Sequence, residues 1–203
     1  MRLFVTGIGT EVGKTIVSAI ITEALKADYW KPIQAGDLHH SDTDKLRALV
    51  TNNNSIFHKE AFRLNHPMSP HAAAQRDGVH IQLKDIQIPK TTNHLIIEGA
   101  GGLMVPLNNK DCIIDLIPKL DCEAVLVSRN YLGSINHTLL SIEALQKRGI
   151  PIKGIIFNGA ENKETEKVIL KMTNVSLLGR VMEEKDFDPM VIRKYAAQFK
   201  ESL

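Results

Sequence analysis

The chain opens with Leu3-Phe4-Val5-Thr6-Gly7-Ile8-Gly9-Thr10-Glu11-Val12-Gly13-Lys14-Thr15, followed by a helix-like run from Ile16 to Lys26. A short apolar strand, a glycine-rich turn ending in Gly-Lys-Thr and a helix make a phosphate-binding loop. In such a loop the backbone N–H groups face an anion and Lys14 adds a positive charge near the β and γ phosphates. Thr15 offers a hydroxyl to a magnesium ion. The usual spacing, Gly-x-x-x-x-Gly-Lys-Thr, would begin at Ile8, but the glycine is Gly7, so the loop is one residue longer than standard. Glycines that merely let strand and helix pack are the competing reading, and Gly-Lys-Thr directly after a strand argues against it. A hydride-transfer dinucleotide fold would need an acidic residue at the end of its second strand. Here Asp28-Tyr29-Trp30 runs into Lys31-Pro32, which has the wrong charge, so a nucleoside triphosphate is the better match.

At 203 residues, with 43% hydrophobic and 24% charged, the chain suits one domain spanning 1–203. Such a domain buries roughly 70% of its unfolded surface and needs no covalent staples. The 25 basic residues are interleaved with 23 acidic ones for a formal charge of +2. That balance lacks the basic footprint of a nucleic-acid binder. Cys112 and Cys122 have no Cys-x-x-Cys spacing and lie in apolar surroundings, which predicts reduced, buried thiols. Met1-Arg2 leaves no room for a signal peptide before the first strand, and no apolar run approaches the roughly 20 residues that span a bilayer. A cytoplasmic protein with no membrane partner is expected.

Apolar strands are predicted at Leu3 to Thr6, Tyr29 to Ile33, His94 to Ile97, Ala124 to Ser128 and Ile152 to Asn158. Helical patterns cover about Thr15 to Lys26, Asp42 to Val50, Cys112 to Lys119, Ser134 to Arg148 and Asn162 to Met172, with a short helix at Pro70 to Gln75 and a final surface helix in Asp186 to Leu203. Continuous apolar strands alternating with helices imply an α/β fold: a doubly wound, mostly parallel sheet with helices on both faces, of the P-loop NTPase type. Ligands then sit at the carboxyl ends of the strands.

Polar residues collect at those ends. Glu98 closes the strand His94 to Ile97 and opens Gly99-Ala100-Gly101-Gly102, which suits either a magnesium ligand or a carboxylate accepting loop N–H bonds. Ser41-Asp42-Thr43-Asp44 fits the cap and acidic first turn of a helix. Beside a phosphate loop that needs oxygen ligands for its metal, Asp42 is the stronger metal candidate of the two aspartates. His39-His40 lacks a third ligand at helical spacing and reads as a solvated pair. Lys31 stands at a buried strand end, where a charge is costly unless an anion meets it. It is assigned to the reacting phosphate or an acidic substrate group.

Taken together, the loop from Thr6 to Thr15, Lys31-Pro32-Ile33-Gln34-Ala35-Gly36, Ser41-Asp42, Pro67-Met68-Ser69-Pro70-His71, Glu98-Gly99-Ala100-Gly101-Gly102, Gly133-Ser134-Ile135-Asn136-His137 and Asn158 resemble the dethiobiotin synthetase family, in order and over about residues 3 to 180. The resemblance implies a ligase reaction in which 7,8-diaminononanoate, CO2 and Mg-ATP give dethiobiotin, ADP and phosphate. A substrate amine forms a carbamate, the γ phosphate is transferred to it, and the second amine closes a cyclic urea. No enzyme nucleophile is required, in keeping with the lack of an obvious Ser-His or Cys-His arrangement.

Residue by residue, the resemblance puts nucleotide contacts at Thr10, Glu11, Val12, Gly13, Lys14, Thr15 and Ile16, at Glu98, Gly99 and Gly101, and at Asn158 for the adenine. It puts magnesium on Thr15, Asp42 and Glu98, and catalytic duties on Thr10, Lys14 and Lys31. Substrate contacts fall on Lys31, Gln34 and Ala35. A homodimer partner is implied to present Tyr131 to Asn136 to the substrate carboxylate, through Gly133, Ser134 and Asn136. Two departures stand out. Ala35 occupies a position where many relatives carry a hydroxyl, leaving that hydrogen bond missing or supplied by Gln34 or water. Leu178-Gly179-Arg180-Val181-Met182 lacks the proline of Leu-Gly-x-Ile-Pro.

Two other enzyme or switch classes share this kind of loop and sheet. A carboxylate-activating amidotransferase usually carries a glutamine-hydrolysing domain for which the chain has no space. A partitioning or membrane-cycling ATPase switch carries an extra lysine five residues before Lys14, where this chain has Gly9.

Overall fold

The computed structural model describes residues 1–203. In chain order the elements are β1 (Arg2–Gly7), α1 (Lys14–Leu25), β2 (Asp28–Trp30), β3 (Ile33–Ala35), α2 (Asp42–Leu49), β4 (Phe57–His58), β5 (Phe62–Leu64), α3 (Pro70–Arg76), β6 (Leu95–Gly102), α4 (Leu116–Lys119), β7 (Glu123–Arg129), α5 (Ser134–Lys147), β8 (Ile152–Asn158), α6 (Lys163–Thr173), β9 (Leu177–Val181) and α7 (Pro189–Phe199). Seven strands form one sheet in the order β4-β2-β6-β1-β7-β8-β9. All of its neighbouring pairs are parallel.

The sheet is covered on both faces, which is why its strands are apolar without alternation. Along β1, Leu3 and Val5 point into one core with Val17, Ile20 and Ile21 of α1 and Ile192, Tyr195 and Phe199 of α7. Phe4 points the other way, into a core with Ala73 and Ala74 of α3 and Leu116 and Ile117 of α4. Because β1 lies in the middle of the sheet and the chain winds outward from it on both sides, the loops after β1 and its neighbours diverge into a crevice at their carboxyl ends. No helix is long and apolar enough to cross a membrane.

Several elements differ from the expectations. The predicted strand Tyr29 to Ile33 is two strands: β2 pairs in the main sheet, and β3 pairs with β5 in a separate two-stranded sheet. Pro32 divides them, since it has no N–H for the ladder and restricts the residue before it. Lys31 thereby leaves the sheet at the crevice. The Cys112 to Lys119 helix is a 3₁₀ turn at Ile113–Asp115 followed by the single turn of α4. Pro118 lacks the N–H that would bond back to Ile114. β6 runs on through Gly102, so Glu98 is inside a strand and not at its end. The tail helix α7 is only partly a surface element, burying Ile192, Tyr195, Ala196 and Phe199. Strand β9, in the segment lacking its proline, has no counterpart in the sequence reading.

Candidate active site

The loop between β1 and α1 holds the feature the sequence announces. Every backbone N–H from Gly9 to Ile16 lacks an acceptor within the chain. Unpaired donors at a helix N-terminus are a ready anion site. Gly13 is left-handed, with φ of 94°. A Cβ there would stand 2.3 Å from the Asn158 amide nitrogen. Asn158 in turn donates that Nδ2 to the Val12 carbonyl at 2.8 Å, tying β8 to the loop. Lys14 folds back, its Nζ donating to the Gly9 carbonyl at 2.8 Å. Burial draws the Lys14 amine down to about 8; Glu98 and Asp42 oppose the fall and Lys31 adds to it.

Glu98 is the hub of the site and is 1% exposed. Its Oε1 accepts from the Thr15 hydroxyl at 2.9 Å and from Lys31 Nζ at 3.0 Å. Its Oε2 accepts from the Tyr29 hydroxyl at 2.9 Å. No backbone N–H reaches it, so the loop-bonded carboxylate reading is not what the structure holds. Burial disfavours the Lys31 charge, yet Glu98 and then Asp42 hold its pKa above the ordinary lysine value. Burial likewise raises the Tyr29 phenol far above its usual range, with Glu98 adding to the effect, so it stays a donor.

Ser41 is the N-cap of α2, and Asp44, not Asp42, completes the cap. Ser41 and Asp44 form a reciprocal capping box, with Ser41 N–H donating to Asp44 at 3.0 Å and Asp44 N–H to the Ser41 hydroxyl at 3.2 Å. Asp42 is left for the crevice, where Oδ2 accepts from Lys31 at 2.5 Å and Oδ1 from Lys45 at 3.1 Å. Burial works against its charge, but Lys31 and Lys45 hold its carboxyl below the usual range. His39 and His40 are exposed. No group of three or more His, Cys, Asp or Glu side chains forms a cage for a metal.

These groups line a cleft of about 780 Å³. Of the residues singled out in the sequence, Thr10, Glu11, Gly13, Lys14, Thr15 and Ile16 line it from the loop side. Lys31, Gln34, Ala35, Asp42, Glu98 and Gly101 line it from the other strands and α2. Val12 is not among them and packs in the core below the loop. Gly99 faces away too: a Cβ there would meet the Phe4 ring at 2.8 Å. Asn158 lies behind the loop, and Gly133, Ser134 and Asn136 are outside the cleft at the start of α5. Gln34 is held in place at both ends of its amide, with one N–H and one lone pair left over. Its Nε2 donates to the Gly36 carbonyl at 2.9 Å and its Oε1 accepts from Asp42 N–H at 3.3 Å.

Two contributors escaped the sequence reading. Lys45 was legible, since it stands three residues after Asp42 on a helix, the spacing at which side chains meet. Tyr29 was not, because its role depends on strand pairing. Most of the Leu178–Met182 segment is strand β9: Leu178 and Val181 are buried, and Arg180 makes a two-pronged ion pair with Glu166. Cys122 is buried and Cys112 half-buried, both as free thiols.

A family model described as an AAA domain matches residues 1–191. The ATP-dependent dethiobiotin synthetase BioD of Christiangramia forsetii is 62% identical over 200 residues, covering 98% of this chain and 96% of its own length. The protein of the same name from Cytophaga hutchinsonii is 51% identical, covering 97% and 96%. Among solved structures, the cell division ATPase MinD of Pyrococcus furiosus aligns with a TM-score of 0.64 at 14% identity, covering 100% and 99%. The septum site-determining protein MinD of Pyrococcus horikoshii, complexed with Mg-ADP, aligns at 0.62 and 16%, covering 98% and 96%. These structures share the P-loop fold. From the sequence relatives, this chain belongs to the ATP-dependent dethiobiotin synthetase family and is an ATP-dependent ligase.

Proposed function

We propose that the cleft joins CO2 to the two amines of 7,8-diaminononanoate, giving dethiobiotin with ATP cleaved to ADP and phosphate. The observation that carries this reading is a row of unpaired loop N–H groups opening onto a cleft whose wall holds buried Lys31 between two carboxylates. One amine attacks CO2 to give a carbamate, and a carbamate oxygen attacks the γ phosphorus, releasing ADP. The second amine then attacks the carbamoyl carbon, breaking its C–O bond and releasing phosphate as the cyclic urea closes.

The chain supplies positioning and charge. The N–H groups from Gly9 to Ile16 and the Lys14 ammonium hold the β and γ phosphates, while Lys31 neutralises the carbamate as it meets phosphorus. Thr10 lies at the mouth of the loop, where it contacts the terminal phosphate. The donors Thr15 Oγ1, Asp42 and Glu98 fit magnesium, since they are hard oxygens too few for an all-protein cage, and this ion takes one or two carboxylates together with phosphates and waters. Bound there, magnesium neutralises charge on the phosphate oxygens. Ala35, with Ile33, Met68 and Val105, makes an apolar wall suited to the carbon chain of the diamine.

A homodimer reading draws support from the start of α5. Leu132 is fully exposed, flanked by exposed Tyr131, Ile135 and Leu140. The N–H groups of Ile135 and Asn136 have no acceptor. Such an apolar rim around free donors suits docking on a second copy, where the donors meet the substrate carboxylate. Asn158 is assigned to the adenine through the amide capacity left beyond its bond to Val12.

The chemistry is tested with bicarbonate labelled in all its oxygens with ¹⁸O. One label is expected in the released phosphate and one in the urea carbonyl. Unlabelled phosphate would contradict a carbamate attacking phosphorus.

A further inference from the structure

Tyr29 is fully buried on β2, with its ring 6.3 Å from that of Phe57. The β2–β6 register sets Tyr29 opposite Ile96 and Trp30 opposite Ile97. Glu98 lies two residues beyond Ile96 and so on the same face, diagonally across from Tyr29, a separation that an aromatic side chain spans. The resulting hydrogen bond divides the two oxygens of Glu98. Oε2 has Tyr29 as its one partner, whereas Oε1 is turned toward Thr15 and Lys31 at the cleft wall. Glu98 is 1% exposed, so removing the phenol leaves Oε2 without a protein partner.

We propose that Tyr29 is a positioning residue: by anchoring Glu98 Oε2 from inside the core, it fixes the carboxylate plane so that Oε1 is presented to the metal-nucleotide. This rests on the assignment of Glu98 to magnesium. Groups of this kind, hydrogen-bonded to a ligating carboxylate without touching the metal, typically change metal affinity 10–100-fold when removed.

The test is binding of Mn²⁺, as the probe for magnesium, to the protein–ADP complex, read by electron paramagnetic resonance with no turnover required. It uses wild type, Tyr29→Phe, Glu98→Gln and the double variant. Tyr29→Phe is expected to weaken Mn²⁺ binding roughly tenfold while leaving metal-free ADP binding within about twofold, and to add nothing in the Glu98→Gln background. Equal losses in both backgrounds, or an unchanged Mn²⁺ affinity in Tyr29→Phe when Glu98→Gln alone weakens it, would overturn the role of Tyr29. An unchanged affinity in Glu98→Gln alone would instead overturn the Glu98 assignment, and the proposal with it. Should Tyr29→Phe fail to fold, 3-fluorotyrosine at position 29 keeps the ring and hydroxyl while altering donor strength. Its effect on Mn²⁺ affinity is expected with Glu98 present and absent in Glu98→Gln; no effect in either would overturn the proposal.

Discussion

Lys31 and Glu98 form an ion pair of 3.0 Å in which the lysine side chain is 7% exposed and the glutamate 1%. The pair joins the residue at which Pro32 breaks a strand to the middle of the longest strand. Lys31 also pairs with Asp42, so it is the cation between two carboxylates, and the proposed function gives it the carbamate and phosphate to neutralise. Lys31→Ala is expected to lower kcat roughly a hundredfold or more through lost charge stabilisation. Because it also strands a buried carboxylate, it should reduce stability by about 3–5 kcal/mol without any ligand. Steady-state kinetics and urea unfolding of the same preparation check both, and turnover within a few-fold of wild type would remove Lys31 from the chemistry.

Asp42 is held by two lysines and does not cap α2, so its loss should leave the helix intact. Asp42→Asn is expected to raise the magnesium concentration needed for half-maximal turnover about tenfold with little change in helical circular dichroism. Asp44→Asn, by contrast, should cost about 1 kcal/mol of stability through the capping box and leave the magnesium titration in place. An exchange of these two phenotypes would reverse the assignment.

Gly13 couples the phosphate loop to β8. In Gly13→Ala, the new methyl group meets both a left-handed backbone and the Asn158 amide. Loss of ATP binding by at least roughly a hundredfold, from a cost of about 3 kcal/mol, is expected in isothermal titration. Near-normal binding would show that loop and β8 move apart freely.

A pH dependence belongs to Asp28. Its carboxylate accepts from Thr91 Oγ1 at 2.7 Å, Ile56 N–H at 3.0 Å and Asn93 Nδ2 at 3.2 Å, and His58 Nε2 lies 3.1 Å away. Burial acts to raise its pKa, but these bonds together hold it below the ordinary aspartate value. Its folded pKa being depressed, its contribution is present above the unfolded value of about 4 and is lost as pH falls through the folded one. Asp28→Asn should therefore cost about 1–3 kcal/mol at neutral pH, with the gap from wild type narrowing below roughly pH 4. Urea titrations across that range check it; a gap that widens in acid would contradict the sign.

Local chemistry made much of this legible in the sequence. The phosphate loop and α1 rest on neighbouring residues whose spacing carries the information, whereas Glu98, read as a strand end, lies inside β6 because the glycines after it stay in the strand. Tyr29 shows the limit: its partner is 69 residues away, and only the register of two strands brings them together. The Pro32 break and the helical spacing of Ile192, Tyr195, Ala196 and Phe199 are both present in the sequence, as local signals of the β2–β3 division and of the buried face of α7. Strand β9 is obscured by Gly179, a residue unusual in a strand, and by the charged Arg180 beside it. Gly179 is packed under the Phe199 ring, and Arg180 is neutralised by Glu166. Metal and capping roles at Asp42 and Asp44 share one residue type in one turn, so side-chain direction had to separate them.

ADP release with Mg-ATP and bicarbonate, with and without 7,8-diaminononanoate and with the product weighed by mass spectrometry, tests diamine-dependent ligation most directly. ADP release that requires the diamine, with a cyclic urea formed one for one, is the expected result. ADP release indifferent to the diamine, or ATP binding intact with no urea formed, would contradict it.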